Sequence, residues 1–75
     1  MNNERRSRIA EIRIRIEALQ EELDDIAREE EDYRDNMPES LQSGERYERS
    51  EEASSALESA RDSLEEAIDS LNEIG

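Results

Sequence analysis

Residues 9–26 read IAEIRIRIEALQEELDDI, and the spacing of the apolar side chains in this stretch decides the fold. The large apolar residues follow one another at intervals of three and four: Ile9, Ile12, Ile16, Leu19, Leu23 and Ile26. This rhythm aligns them along one face of an α-helix, as in a coiled coil. Residues 12–16 also alternate isoleucine with arginine, a strand-like period, but the surrounding alanines, glutamates and leucine favour a helix. We therefore predict a helix over about residues 3–35 with these six side chains in its buried stripe.

A second segment repeats the same rhythm towards the C-terminus. Its stripe alternates alanine with leucine and ends in isoleucine: Ala53, Leu57, Ala60, Leu64, Ala67, Leu71 and Ile74. Alternate alanines allow two helix backbones to approach closely, and the larger side chains of the first stripe can fill the space beside them. The pattern predicts a second helix over about residues 45–74 that packs against the first.

The stretch between the two stripes, residues 36–44, reads NMPESLQSG. Pro38 disfavours helical backbone angles at Met37 and suits the first turn of a new helical stretch. We predict a connecting turn over about residues 36–44, with a short helical turn at residues 38–42 and Ser43 as the cap of the second helix. Residues 1–75 then form one all-α domain, an antiparallel two-helix hairpin of the coiled-coil type. A single bent helix that pairs only between chains is the alternative.

Charge is distributed unevenly along the chain. Residues 1–16 carry five arginines and two glutamates, a balance of +3, whereas the other residues carry five arginines and twenty-one acids, a balance of −16. Antiparallel packing places the basic start beside the acidic end of the second helix. Exposed ion pairs are individually weak, but together they favour antiparallel over parallel alignment.

The composition excludes several kinds of site. The chain has no cysteine and no histidine, and its formal net charge is −13. Thiolate metal sites are therefore impossible, and the commonest metal ligand and general base is missing. So anionic a chain also repels nucleic acid and anionic membranes. We expect no enzymatic activity, no catalytic or metal site, no cofactor, and no direct binding to nucleic acid or membranes.

The N-terminal residues contain no apolar run typical of a signal peptide. No stretch of the sequence approaches the ~20 apolar residues that span a bilayer. These two features predict a cytoplasmic protein.

A chain of 75 residues without disulfides or metals gains stability most readily by oligomerising. A second, weaker apolar surface is expected beside the two stripes, formed by Ile14, Ala18 and Ile68. Two hairpins that cover this surface would form a homodimeric four-helix bundle. The alternative is that a different protein covers it.

The turn is the one segment whose residues neither the heptad pattern nor solvation explains. Loops that a rigid scaffold holds in place often carry function. We nominate its surface for contact with a partner protein: Asn36, Met37, Pro38, Leu41, Gln42, Arg46 and Tyr47. The alternative is a structural end-cap in which Met37, Leu41 and Tyr47 pack together.

The many acidic residues allow a further hypothesis. Carboxylates at helical spacing can imitate the phosphates of a nucleic-acid duplex and bind the basic groove of a host protein, as an anti-restriction or anti-CRISPR inhibitor would. The candidate residues are Asp24, Asp25, Glu31, Asp32, Asp35, Glu48, Glu51, Glu52, Glu58, Asp62, Glu65 and Glu66. Ordinary acidic coiled coils show the same composition, with the carboxylates simply solvated. Binding to a protein partner through apolar or turn residues therefore remains the first hypothesis.

The turn also carries a resemblance. Residues 36–42, NMPESLQ, are followed by Gly44-Glu45-Arg46 and a helix rich in alanine, leucine and glutamate. Over about residues 19–74 the chain resembles small acidic helical-hairpin proteins of bacteriophages and bacterial mobile elements. That group has no settled activity, so the resemblance transfers no functional residues. It implies a phage-encoded or element-encoded protein directed at a host component.

Overall fold

A computed structural model describes residues 1–74 as two long helices joined by a short turn. Helix α1 spans Asn3–Asp35, a 3-10 turn spans Glu39–Leu41, and helix α2 spans Glu45–Asn72. The two helices pack against each other in antiparallel order, and residues 1–74 contain no strand. The predicted helical hairpin is confirmed. Helix α2 ends two residues before the predicted position.

Local hydrogen bonds fix the helix ends. The Asn2 side chain accepts a hydrogen bond from the Arg5 backbone N–H at 2.9 Å, which caps α1. The cap of α2 is Gly44 and not Ser43, so this part of the prediction is wrong. The Gly44 N–H donates to the Leu41 carbonyl at 3.0 Å, and a Cβ on Gly44 would lie 3.2 Å from that oxygen. This close approach favours glycine at the cap position.

The hairpin is a thin rod with a small core. Its Cα atoms extend over 60 × 15 × 12 Å, and its radius of gyration is 17.3 Å, against about 11 Å for a compact chain of this length. Met37 and Ile68 are the buried apolar residues among residues 1–74, at 8% and 6% exposed. Most of the apolar surface of the two stripes therefore stays partly open to solvent.

One column of each predicted stripe lies in the seam between the helices. These side chains are partly buried: Ile9, Ile16 and Leu23 of α1, with Leu57, Leu64 and Leu71 of α2. The second column of α1 differs from the prediction, because Arg13, Gln20, Ala27 and Arg34 occupy it. Its counterpart in α2 contains Tyr47, Ser54, Arg61 and Ile68. Of the α2 residues predicted for this column, Ala53 and Ala67 stay partly buried beside the seam, whereas Ala60 and Ile74 are exposed.

Each helix is thus rotated about its own axis by about 50° from the predicted orientation. One of the two buried columns has moved by one residue, or about 100°, so the centre of the buried face moves by half of that angle. Three predicted core residues of α1 are instead 46 to 50% exposed, namely Ile12, Leu19 and Ile26. Tyr33, one heptad further along the same column, is 49% exposed. The reason is geometric, because two helices touch along one line and each can place only two columns of side chains there. Long polar side chains in the second column form hydrogen bonds between the helices, which the predicted apolar pairing would not provide.

The rotation can be tested by removing one methyl group at matched positions. Ile68→Val leaves a small cavity in the seam and should lower the free energy of unfolding by about 1 kcal/mol. Ile14→Val, at a residue that is 60% exposed, should change it by less than ~0.5 kcal/mol. Urea denaturation at one fixed protein concentration measures both values. Equal losses at the two positions would contradict the observed rotation.

Candidate interaction surfaces

Polar contacts join the helices along one edge of the seam. Arg13 Nη1 donates to Asn72 Oδ1 at 2.9 Å, and Gln20 Nε2 donates to Glu65 Oε2 at 2.8 Å. Near the middle of the rod, Arg61 Nη1 pairs with Asp24 Oδ1 at 2.8 Å. These contacts, which we call the polar ladder, fix the alignment of the helices because a shift by one turn would separate every pair.

The ladder continues to the closed end of the hairpin. There Arg34 Nη1 donates to the Ser50 carbonyl at 3.1 Å, to Ser50 Oγ at 3.2 Å and to Ser54 Oγ at 2.7 Å. Ser50 is only 2% exposed, so its polar atoms depend on partners inside the protein. One arginine of α1 therefore holds the first turns of α2 in place.

The Asp24–Arg61 ion pair differs from the arrangement that the charge distribution predicted. It places an acid on α1 and a base on α2, whereas the basic start and the acidic C-terminal end were expected to pair. The hydrogen bond to Asp24, together with the attraction between the two charges, raises the pKa of the Arg61 guanidinium above its usual value.

The side of the hairpin opposite the polar ladder is apolar. On each helix, the predicted core column that lies outside the seam, which we call the displaced column, comes three positions after the column of isoleucines or leucines that lies in the seam. The two helices run in opposite directions. Equal offsets on antiparallel helices place the two displaced columns on the same side. We call this surface the apolar face: Ile12, Leu19, Ile26 and Tyr33 of α1 with Ala53, Ala60 and Ala67 of α2.

The apolar face is low in charge although 44% of the chain is charged. Glu30 is the one charged residue in the seam columns that border it. On its outer edge, α2 presents the small residues Ala56, Ser63 and Ser70. The α1 edge carries two arginines and two glutamates, namely Arg8, Arg15, Glu22 and Glu29. The excess negative charge of the molecule therefore lies elsewhere.

Much of that charge lies on the polar-ladder side. Helical spacing puts two rows of carboxylates there: Glu17, Asp24 and Glu31 on α1 with Glu51, Glu58 and Glu65 on α2. An open groove between the rows is bordered by several of these acids and by Arg34 and Arg61. Five of these six acids are among the residues predicted to imitate duplex phosphates, and Glu17 was not among them. The polar-ladder side, as defined by these six acids, is thus acidic and opposite to the apolar face.

The nominated oligomer residues do not form one surface. Ile14 is 60% exposed and Ala18 is exposed, both on the side of α1 that points away from α2. Ile68 is buried in the seam of its own hairpin, so its assignment to an oligomer surface was wrong. The apolar face was missed because the 3-4 rhythm does not reveal which of its two columns turns inward.

The nominated turn residues are divided between the interior and the surface. Met37 is buried, Tyr47 is partly buried, and Leu41 is 52% exposed. Gln42 Nε2 donates to the Met37 carbonyl at 3.2 Å, and Asn36 Nδ2 donates to the Asp32 carbonyl at 2.8 Å. The other nominated residues are exposed at the closed end of the rod: Asn36, Pro38, Leu41, Gln42 and Arg46.

Comparison with protein-family models, with curated proteins and with solved structures found no match for this chain. The resemblance of the turn motif to phage and mobile-element hairpins therefore stays a prediction. No helix within residues 1–74 is long and apolar enough to span a membrane.

The closed-end contact of the ladder gives a stability prediction. Arg34→Met keeps an apolar side chain of similar length but leaves the buried Ser50 without its donor, which should cost about 1–2 kcal/mol. Arg28→Met is the control, because Arg28 pairs only with its neighbour Asp25 and both side chains are 71% exposed. The loss of unfolding free energy in Arg28→Met should stay below ~0.5 kcal/mol. Similar losses in urea denaturation would show that Arg34 does not hold the two helices together.

Proposed function

We propose that this protein is a non-enzymatic protein–protein interaction module, a small acidic hairpin that binds a protein through its apolar face. The observation that carries the proposal is the row of half-exposed Ile12, Leu19, Ile26 and Tyr33 on one side of the rod. The row is about 32 Å long. Contiguous exposed apolar surface of this extent is typical of interaction sites.

The free energy available from burying the exposed side chains supports binding of a partner to the apolar face. Complete burial of one large apolar side chain stabilises a protein by about 1.5–3 kcal/mol relative to exposure. The four α1 side chains of the face are about half exposed in the hairpin alone, so roughly half of this burial free energy has been gained there. A partner that covers them would therefore gain on the order of 4 kcal/mol from these residues before the entropy of association is subtracted.

The geometry of the polar-ladder side supports a role other than catalysis. Catalytic carboxylates need an enclosed site that removes water and shifts their protonation. The groove between the acidic rows is open along the rod, and Asp24 and Arg61 at its centre keep 38% and 41% of their side-chain surface exposed. These residues act as structural contacts between the helices in the proposed module.

The turn surface adds a smaller contact site to the proposal. Leu41 projects from the closed end, with Pro38 and Arg46 exposed near it. Met37 is excluded from direct contact by its burial. The apolar face offers the larger area and is the main binding surface in this proposal.

The apolar-face proposal is tested by capture with immobilised protein from a host extract. Leu19→Glu combined with Ile26→Glu places charge on the face and should abolish capture of the specific partner. Ile14→Glu is the matched control, since Ile14 is more exposed and lies off the face. Capture through an apolar contact should also survive a rise from about 50 to 200 mM salt, because screening acts on charges. Retention of the partner by the double variant would refute the proposal.

A second candidate function rests on the two acidic rows opposite the apolar face. Six carboxylates on one side of a 60 Å rod offer a basic groove a charge pattern that resembles duplex phosphates. The predicted origin in a phage or mobile element, which rests on the turn motif alone, fits this candidate, because such an inhibitor would act on a nucleic-acid-binding protein of the host.

The duplex-mimic candidate makes the opposite predictions in the same assay. Glu31→Gln combined with Glu58→Gln should weaken capture at least ~10-fold, and the double variant on the apolar face should not. Binding should fall by about 10³-fold or more between 50 and 200 mM salt, and a short DNA duplex should compete. Insensitivity to both salt and duplex would exclude this candidate.

A further inference from the structure

We propose that the occupant of the apolar face is a second copy of this chain. This inference rests on the proposed binding role of that face. The two hairpins are related by a twofold axis parallel to the helices, so that α1 of each copy lies on α2 of the other. The product is a four-helix bundle with both turns at the same end.

The exposed area of the single hairpin matches what a dimer would bury. The accessible surface is 5909 Å², whereas a compact monomer of 8.7 kDa exposes about 4,700 Å². The excess is about 1,200 Å², and a standard stable interface buries about 800 Å² on each partner. Joining two thin rods side by side removes an excess of this size.

The shapes of the two stripes are complementary under the proposed symmetry. The contact from Gln20 to Glu65 sets the level of α2 against α1. Because a twofold axis along the helices preserves this level, three of the four large side chains in the α1 row meet an alanine of the second copy, and Ile12 comes level with Ile74. The pairs are Leu19 with Ala67, Ile26 with Ala60, and Tyr33 with Ala53. Large residues thus face small ones in three successive layers, the arrangement that fills a helical core evenly.

The charges beside the apolar face are also self-complementary. The outer edge of α2 is uncharged at Ala56 and Ser63, which come level with Glu29 and Glu22 of the other copy, so it does not repel these glutamates. At the open end, Arg15 of one copy comes level with Ser70 of the other, between Glu66 and Glu73. The basic start of α1 therefore meets the acidic end of α2 from the second copy. The acidic rows lie on the outside of the bundle, where their mutual repulsion is screened.

The alternative symmetry fits less well. A twofold axis perpendicular to the helices would stack the isoleucine–leucine stripe on itself and the alanine stripe on itself. The α1 helices would then be forced apart while the α2 helices were drawn together. That arrangement also places the two turns at opposite ends of the bundle, which makes it distinguishable by one distance.

Sedimentation equilibrium of the full chain tests the identity of the occupant. We expect twice the chain mass of 8.7 kDa at micromolar concentration. Leu19→Glu with Ile26→Glu should weaken dimerisation by roughly 100-fold or more. Ala60→Lys should do the same without touching the seam, so circular dichroism should show full helix content. Ile14→Glu should leave the dimer intact. A monomeric wild type, or a dimer that only Ile14→Glu dissociates, would overturn the proposal.

The arrangement is tested by one spin label on each chain. The sequence has no cysteine, so Ser40→Cys in the turn provides a unique labelling site. Pulsed electron paramagnetic resonance should give a distance of roughly 20–30 Å between the spin labels of the two copies, which is the width of a four-helix bundle with its labels. A separation near the 60 Å length of the rod would place the turns at opposite ends and overturn the arrangement.

The outcomes separate this inference from the proposed function. A monomer that still captures a partner, and loses it with Leu19→Glu and Ile26→Glu, would overturn self-association but leave the binding role of the face standing. If the double variant changed neither the mass nor the capture, both proposals would fail.

Discussion

The arrangement of this hairpin depends on the polar ladder as a set of contacts, and the ion pair between Asp24 and Arg61 is its central member. It lies at the middle of the polar ladder, where Gln20 reinforces it by bonding both the Arg61 carbonyl and Glu65. Two helices share one line of contact, so a column of polar pairs in that line displaces a column of apolar ones. The ladder thus determines which residues are buried, which apolar residues are left outside, and how the helices align.

The rotation imposed by the ladder gives the rod two different sides. Apolar side chains and alanines collect on one side, and carboxylates border the polar contacts on the other. This separation matters for a chain with a net charge of −13, because like charges near a protein-binding surface oppose association. In the proposed bundle the apolar sides meet in the centre and the acidic sides face outwards.

The small size of the core is the energetic reason for the assembly proposed above. Within residues 1–74 the hairpin buries two apolar side chains, whereas ordering its backbone costs about 1–2 kcal/mol for each residue. A second copy adds apolar burial without requiring further residues to become helical. The surface left open by the fold and the marginal core are therefore two consequences of the same two-helix geometry.

The sequence by itself determined the two helices and the turn around Pro38, because the 3-4 rhythm and the proline act locally, and it favoured an antiparallel hairpin over a single bent helix. It also identified one seam column of each helix, Ile9 to Leu23 and Leu57 to Leu71. Only the tertiary structure decided that Arg13, Gln20 and Arg34 turn inward and that Ile12, Leu19 and Ile26 turn outward. A heptad pattern defines a stripe two columns wide, but hydrogen bonds between residues far apart in the chain set the rotation of each helix about its axis.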